Sequence, residues 1–256
     1  WEAYFHHVYG NLLQVCAANE FLKEHLQEQV SRLKKQQLRR AAVRNIPKCK
    51  ETKALIDDDN TPIVFASRKT PLDDLRNKYG NVEVIDVSPA GRYRKLHPSY
   101  PIGNIPIPNA KRATASSVQG LYEGLRFFEN EPRVSSATLM ADDLKINRHA
   151  TKATGPITGY CNGLKAECGI MSELKARYVL FIENYKKMLE KEEQQTILQN
   201  LKEKLRSNPT LRLVFVDTNI PNPDWQNCAK DISHCPLLRD YLLGTWPKWI
   251  DELEEE

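Results

Sequence analysis

The chain has 256 residues, of which 41% are hydrophobic and 27% charged, the balance of a globular protein rather than of a disordered or fibrous one. No apolar run approaches the roughly 18 residues that a membrane-spanning helix needs, and the six dispersed cysteines favour a reducing compartment over a disulfide framework. We therefore expect a soluble, intracellular protein. The formal charge of +4 is unevenly distributed, because a basic segment lies near the beginning of the chain and an acidic one at its end.

The first predicted element is a helix over residues 1–44, which is amphipathic in its first half and basic in its second. Apolar residues recur there at intervals of three, four and seven, and this spacing places them on one stripe of a helix. They are Phe5, Val8, Leu12, Val15, Leu22, Leu26, Val30 and Leu33. The stripe is suited to pack against a protein subunit of a larger complex or, equally, against the rest of the same chain.

A segment that we call the basic arm carries nine positive charges between residues 32 and 53, opposed only by Glu51. Its members are Arg32, Lys34, Lys35, Arg39, Arg40, Arg44, Lys48, Lys50 and Lys53. Such a run contacts several phosphates at once, which predicts salt-dependent, sequence-independent binding of RNA. The alternative is a solvated helix face without a partner. A linker over residues 45–61 overlaps the end of the basic arm and precedes the main domain.

Residues 62–245 are predicted to form one mixed α/β (α+β) domain, followed by an acidic tail over residues 246–256. The predicted strands are 63–66, 82–87 and 211–217, and the predicted helices are 70–79, 116–129, 171–190, 192–207 and 237–243. The first strand, helix and strand follow one another closely, which predicts a βαβ unit with neighbouring parallel strands. Between them and the third predicted strand lies a long loop, 88–110, rich in proline and glycine, and loops of this length are commonly functional.

Three stretches of this domain carry a resemblance to a known family. They are Ala66–Leu72 with Val84–Ser88, then Leu96–Pro101 with Ser117–Arg126, and finally Ala176–Tyr185 with Val214–Asn219 and Ser233–His234. In order and spacing they resemble an uncharacterised family of bacterial and phage proteins and, more distantly, the NADAR or YbiA-like N-glycosidases. The resemblance covers about residues 62–244 and implies a YbiA-like domain, in which helices surround a small, partly parallel sheet.

The resemblance also implies where the chemistry lies. The loop Pro98–Pro101 resembles one that shapes a pocket for the ribose of a nucleotide. The following helix resembles one that begins with a Ser/Thr-Val-Glu pattern whose glutamate is catalytic, and this chain has Gln119 at that place. Cleavage of an N-glycosidic bond passes through an oxocarbenium-like state, which a carboxylate stabilises while a base activates water. Glutamine carries no charge and accepts no proton at neutral pH, so the implied catalytic set is incomplete.

Two acidic residues, Glu123 and Asp217, are the first candidates to replace the missing carboxylate, and Asp224 is a further one. Glu123 lies one helical turn after Gln119 on the same face, and we expect about 5–6 Å between the two side chains, too far for one to occupy the other's position without rearrangement. Asp217 ends the late predicted strand. The alternative is that Gln119 is an ordinary residue at the start of a helix, Glu123 a surface acid and Asp217 a turn former.

No cofactor and no metal site are predicted. The chain contains neither a Gly-x-Gly-x-x-Gly pattern nor a Walker loop. The best local metal-like cluster, Cys228 with His234 and Cys235, has a spacing unlike that of structural zinc sites. Its cysteines are better interpreted as buried or half-buried thiols.

Three functions compete at this point. The first is a non-catalytic subunit of a larger, RNA-containing assembly such as a mitochondrial ribosome. Gln119, the helical extension and the basic arm favour it, and it predicts a mitochondrial location in preference to a cytoplasmic one. The second is an active N-glycosidase that hydrolyses an ADP-ribosyl or nucleotide-like substrate, with Glu123 or Asp217 replacing the missing glutamate. The third is a module that binds a nucleotide without cleaving it.

Overall fold

The computed structural model describes residues 61–144, 146, 148–218 and 221–249, and the structural statements below concern these residues. The predicted helix over residues 1–44, the basic arm, the linker up to residue 60 and the tail from residue 250 onward lie outside the described part. What the sequence predicts for them stays a prediction.

The described residues form a mixed α/β domain with small sheets flanked by helices, which confirms the predicted fold class. Its strands are β1 (Ile63–Ser67), β2 (Val82–Asp86), β3 (Ile105–Pro106), β4 (Thr114–Ala115), β5 (Arg126–Phe128), β6 (Ile157–Cys161), β7 (Ile170–Met171) and β8 (Arg212–Asp217). Its α-helices are α1 (Leu72–Tyr79), α2 (Val118–Gly124), α3 (Ser136–Leu139), α4 (Glu173–Ala176), α5 (Glu183–Leu189), α6 (Glu192–Ser207) and α7 (His234–Leu243). A π-helix over Arg177–Ile182 joins α4 to α5.

A three-stranded parallel sheet has the order β1-β8-β2. Val64, Val214 and Val84 lie in register across it. The sequence predicts that β1 and β2 are parallel, which is confirmed, and that they are neighbours, which is wrong because β8 lies between them. The residues Leu213–Phe215 of β8 are completely buried, and a continuous apolar strand of this kind belongs in the centre of a parallel sheet, covered on both faces.

The helix predicted over residues 116–129 is shorter than expected. The hydroxyl of Ser117 caps the first turn of α2 by accepting the main-chain N–H of Gly120. The helix itself covers only Val118–Gly124. The next residues form β5, which pairs antiparallel with β6. A glycine is a poor helix former, and Phe127 and Phe128, both 1% exposed, are of the aromatic type that prefers strands. The helical spacing of the apolar residues over 116–129 outweighs these local preferences, so the sequence pattern does not predict the second sheet. This sheet has the order β5-β6-β7.

The later helices follow the predictions closely. The bounds of α6 are those predicted, and the helix predicted over residues 171–190 is helical from Glu173 to Leu189. Its middle is the π-helix, a conformation that is rare and frequently found at functional sites. α7 begins at His234, ahead of the predicted start at Leu237.

The main hydrophobic core surrounds α2. Val118 and Leu121 are completely buried, and the ring of Tyr122 stacks on that of Tyr160 with centroids 4.7 Å apart. Close packing restricts the buried side chains of α2 to defined positions. Among the residues that the structure describes, no helix is long and apolar enough to cross a membrane.

Candidate functional site

A cavity of about 330 Å³ opens at the carboxyl end of β8. Its wall combines the loop around His97, helix α2, the π-helix, the end of β8 and residues 231–234. Ligands of open parallel sheets bind outside the carboxyl ends of the strands, where loops from several elements meet. The volume lies at the lower end of the range of about 300–1,000 Å³ that is typical of small-molecule sites.

The candidate catalytic residues Gln119, Glu123 and Asp217 line this cavity, whereas the further acidic candidate Asp224 is not among its lining residues. The first two belong to α2, and the third is the last residue of β8. The nine candidate nucleic-acid-binding residues of the basic arm lie outside the described residues, so their role stays a prediction.

Gln119 and Glu123 are in direct contact. The side-chain amide of Gln119 donates a hydrogen bond to Oε1 of Glu123 over 3.0 Å. The predicted separation of about 5–6 Å is therefore wrong, because that spacing describes Cβ atoms one helical turn apart and two long side chains can lean towards each other. The alternative that Glu123 is a surface acid is also wrong, since the residue is 3% exposed.

The second carboxylate oxygen of Glu123 is held by two further donors. Oε2 lies 2.8 Å from Nη1 of Arg126 and accepts the main-chain N–H of Arg148 over 3.1 Å. Burial raises the pKa of Glu123 to about 7, and the charge of Arg126 and the Arg148 amide oppose this shift. Both oxygens thus accept hydrogen bonds from the protein, which positions the carboxylate firmly.

Arg148 is a structural residue that the sequence pattern does not single out. Its guanidinium donates to the carbonyl oxygens of Glu123 over 3.3 Å and of Arg126 over 2.9 Å. In return, Arg126 donates to the Arg148 carbonyl over 2.7 Å and to the Tyr160 hydroxyl over 3.2 Å. This reciprocal pairing joins the end of α2 to a distant loop, and its only signal in the sequence is the basic character of residues 142–152.

Two histidines lie beside Asp217, and the sequence spacing assigns neither of them a role. The rings of His97 and His234 have centroids 4.8 Å apart, and Nδ1 of His234 lies 3.7 Å from Oδ2 of Asp217. Burial lowers the pKa of His97 to about 3 and that of His234 to about 4. Both imidazoles are therefore neutral at neutral pH.

The same three side chains are the one group among the described residues whose ligand atoms, all within 4.8 Å of one another, could hold a metal ion. A metal-ligating histidine usually donates its second ring N–H to an acceptor. Nδ1 of His97 instead accepts the main-chain N–H of Ser99 over 3.1 Å, which leaves the ring proton on Nε2 where a metal would need a lone pair. The hydrogen bonding thus favours a neutral donor at His97 over a metal ligand. The group includes neither Cys228 nor Cys235.

Two further buried polar residues line the cavity. Ser99 is 1% exposed, and its hydroxyl has no hydrogen-bond partner within the described part of the chain. A buried hydroxyl of this kind indicates a place for a water or a ligand. Arg177 is also 1% exposed and donates to three main-chain carbonyls between residues 225 and 230 over 2.6–3.1 Å. It thereby fixes the segment that leads to Asp231 at the cavity rim.

Residues 67–238 match a family of unknown function, DUF6939. The chain belongs to this family. The matched region runs from the end of β1 into α7 and contains every described residue of the cavity wall. No curated protein and no solved structure matches the chain.

Proposed function

We propose that the domain hydrolyses the N-glycosidic bond of a ribosylated, nucleotide-like or ADP-ribosyl compound. The observation that carries the proposal is the convergence of Gln119, Glu123 and Asp217 on one cavity. The same cavity contains Glu123, His97 and His234, whose pKa values are shifted by burial, and such a combination is typical of catalytic sites. The resemblance to the NADAR N-glycosidases supports the same reaction, and the cavity volume suits the ribose and base of such a substrate.

In this proposal Asp217 replaces the missing glutamate. Its Oδ1 accepts the main-chain N–H of Thr218 over 2.7 Å, while the side chain remains 22% exposed towards the cavity. A carboxylate with a free oxygen stabilises the oxocarbenium-like state and accepts a proton from the attacking water. Glu123 is less suited to this role, because protein donors already occupy both of its oxygens.

Gln119 and Ser99 would position the sugar. The amide N–H of Gln119 is directed at Glu123, which leaves its carbonyl oxygen to accept a hydrogen bond from a ribose hydroxyl. The unpartnered hydroxyl of Ser99 can bind a second one. Correct placement of the anomeric carbon against Asp217 supplies much of the rate in reactions of this kind.

The test measures by chromatography the release of free base from nucleosides and ADP-ribosyl compounds. Asp217→Asn should lower kcat by about 10²–10⁴-fold. Glu83→Gln is the matched control, because the ion pair of Glu83 with Lys204 lies outside the cavity wall. Turnover of Asp217→Asn at the wild-type rate would contradict the assignment, and tight binding of ADP-ribose without turnover would select a sensing module instead.

The second candidate function is a non-catalytic subunit of an RNA-containing assembly such as a mitochondrial ribosome. The uncharged Gln119 and the internally satisfied Glu123 favour it. Protein subunits would bind the helix predicted over residues 1–44 and RNA the basic arm, in mitochondria in preference to the cytoplasm. Sedimentation of the full chain from its native cells tests this: a large particle that loses the protein at high salt supports it, and a free monomer contradicts it.

A further inference from the structure

We infer that Cys161 and Cys168 form a redox-modification site, at which a hydroperoxide converts their two thiols into a reversible disulfide. Cys161 is the last residue of β6, and Cys168 lies in the turn that leads to β7. Both are thiols in this structure, Cys161 buried and Cys168 half-buried. Neither lines the cavity, so the inference goes beyond the proposed N-glycosidase function and is tested without any turnover.

Hydrogen bonds within the turn bring the two residues together. The strands that flank the turn are antiparallel, with Cys161 opposite Ile170. The carbonyl oxygen of Lys165 accepts the thiol of Cys161 over 3.1 Å and the main-chain N–H of Cys168 over 3.0 Å. Because one oxygen atom binds both residues, the sulfur of Cys161 lies beside the backbone of Cys168.

Gly163 contacts both sulfur atoms. Its main-chain N–H is directed at the thiol of Cys161. A Cβ built on Gly163 would lie 2.8 Å from Sγ of Cys168, a distance that real Cβ atoms do not show. The φ angle of +150° favours glycine at this position as well. Only glycine therefore leaves room for the Cys168 sulfur next to the residue that holds the Cys161 sulfur.

An electrostatic interaction also links the two thiols. Burial raises the pKa of Cys161, and the Cys168 thiol raises it further, because a thiolate is disfavoured beside a second one. Such an effect falls off with distance, so it agrees with the placement of both sulfurs at Gly163. The roles of the two cysteines differ accordingly: the half-buried Cys168 meets the oxidant, and the buried Cys161 remains protonated and reacts second.

The turn has room to complete the bond. Residues 164–167 are exposed, and a Cβ at Gly169 would meet no atom within 4 Å. Cys161, in contrast, is held in the sheet by its main-chain N–H, which donates to the Leu125 carbonyl over 2.8 Å. A disulfide requires Cβ atoms about 3.5–4.5 Å apart, and a shift of the exposed turn towards β6 supplies this geometry without disturbing the core.

The reaction balances with a hydroperoxide as the oxidant. The sulfur of Cys168 bonds to one peroxide oxygen, the O–O bond breaks, and the second oxygen leaves with a proton as water or an alcohol. This step oxidises Cys168 to a sulfenic acid and reduces the peroxide. The sulfur of Cys161 then forms the S–S bond, the S–O bond breaks, and the hydroxyl leaves as water with the thiol proton of Cys161. A small thiol such as glutathione reverses the modification by exchange.

Mass spectrometry of the oxidised full chain tests the pairing. The protein is treated with hydrogen peroxide, its remaining thiols are blocked under denaturing conditions, and trypsin cleaves after Lys165, which separates the two cysteines into peptides 153–165 and 166–175. These two peptides should be linked at least about tenfold more often than any other pair of cysteine peptides, because the reaction within one turn is favoured by proximity. Glutathione should release them. Recovery of both residues as thiols, or linkage of either one to a different cysteine, would overturn the inference.

Single substitutions test the order of the two steps. Cys161→Ser leaves the sulfenic acid of Cys168 without a second thiol, so its capture by dimedone should rise at least about tenfold. Cys168→Ser changes a half-buried residue of the turn and should leave Cys161 reduced at the same peroxide concentration. Cys228→Ser is the matched control and should form the linked peptides as the wild type does. Equal capture by dimedone in the wild type and in Cys161→Ser, with both proteins folded by circular dichroism, would overturn the inference.

Discussion

The contact between Gln119 and Glu123 allows a prediction with a calculable size. Gln119→Glu places a second carboxyl group where the amide now donates to Glu123 over 3.0 Å. Two ionised carboxylates cannot coexist at that distance in a buried site, so the pair retains a proton at neutral pH. The substitution introduces the residue that the family resemblance implies at this position.

The magnitude follows from Coulomb's law. Two unit charges about 3 Å apart repel each other by about 5 kcal/mol at an effective dielectric constant of about 20, which corresponds to about 4 pKa units. The pKa of Glu123 is already about 7 before this repulsion is added. A carboxyl group whose pKa is raised in the folded state contributes stability that is present below its unfolded pKa of about 4.3 and is lost as the pH rises through the folded pKa.

The assay is urea denaturation at pH 5 and at pH 8. Between these pH values the wild type should lose about 2.5 kcal/mol as Glu123 ionises through its pKa of about 7, whereas the pair in Gln119→Glu retains one proton throughout and should lose about 4 kcal/mol. The destabilisation of Gln119→Glu relative to the wild type should therefore grow by about 1.5 kcal/mol. Gln119→Met removes the hydrogen bond without adding a charge, so its destabilisation should change less between the two pH values than that of Gln119→Glu. A destabilisation of Gln119→Glu that does not change with pH would refute the contact between the two side chains.

Three other predictions concern stability. Because the folded pKa values of His97 and His234 are lowered to about 3 and 4, the stability that they contribute is complete above about pH 6.5 and is lost as the pH falls towards those values. This amounts to about 2 kcal/mol for each histidine between pH 7 and pH 5, measurable in denaturant titrations and absent when both are replaced by glutamine. Arg177→Met leaves three main-chain carbonyls without their hydrogen-bond donor and should lower the free energy of unfolding by about 3–5 kcal/mol in the same assay. The side chain of Arg133 is 80% exposed, so Arg133→Met should leave this free energy unchanged. Gly124→Ala directs a Cβ to 2.6 Å from a leucine side chain and should lower the free energy of unfolding by about 1–3 kcal/mol; an unchanged value would contradict the close packing of α2.

The candidate site was only partly accessible to sequence reasoning. Gln119 and Glu123 follow from the family resemblance and Asp217 from the end of a predicted strand, and one cavity contains them all. Arg148 has no such signal, and the resemblance includes His97 only as part of the stretch Leu96–Pro101, without a role. Their contacts depend on which loops meet at the end of β8, and that meeting is set by packing between segments far apart in the chain.

The amino-acid sequence by itself determined the features that depend on neighbouring residues. The amphipathic period of α6 predicts its bounds, and the apolar run of β8 identifies a buried strand. Tertiary structure alone decided that β8 lies between β1 and β2 and that Glu123 is buried. Strand order and the desolvation of a carboxylate depend on which distant segments of the chain pack against a residue. The hydrophobic period of the residue's own segment does not indicate those segments.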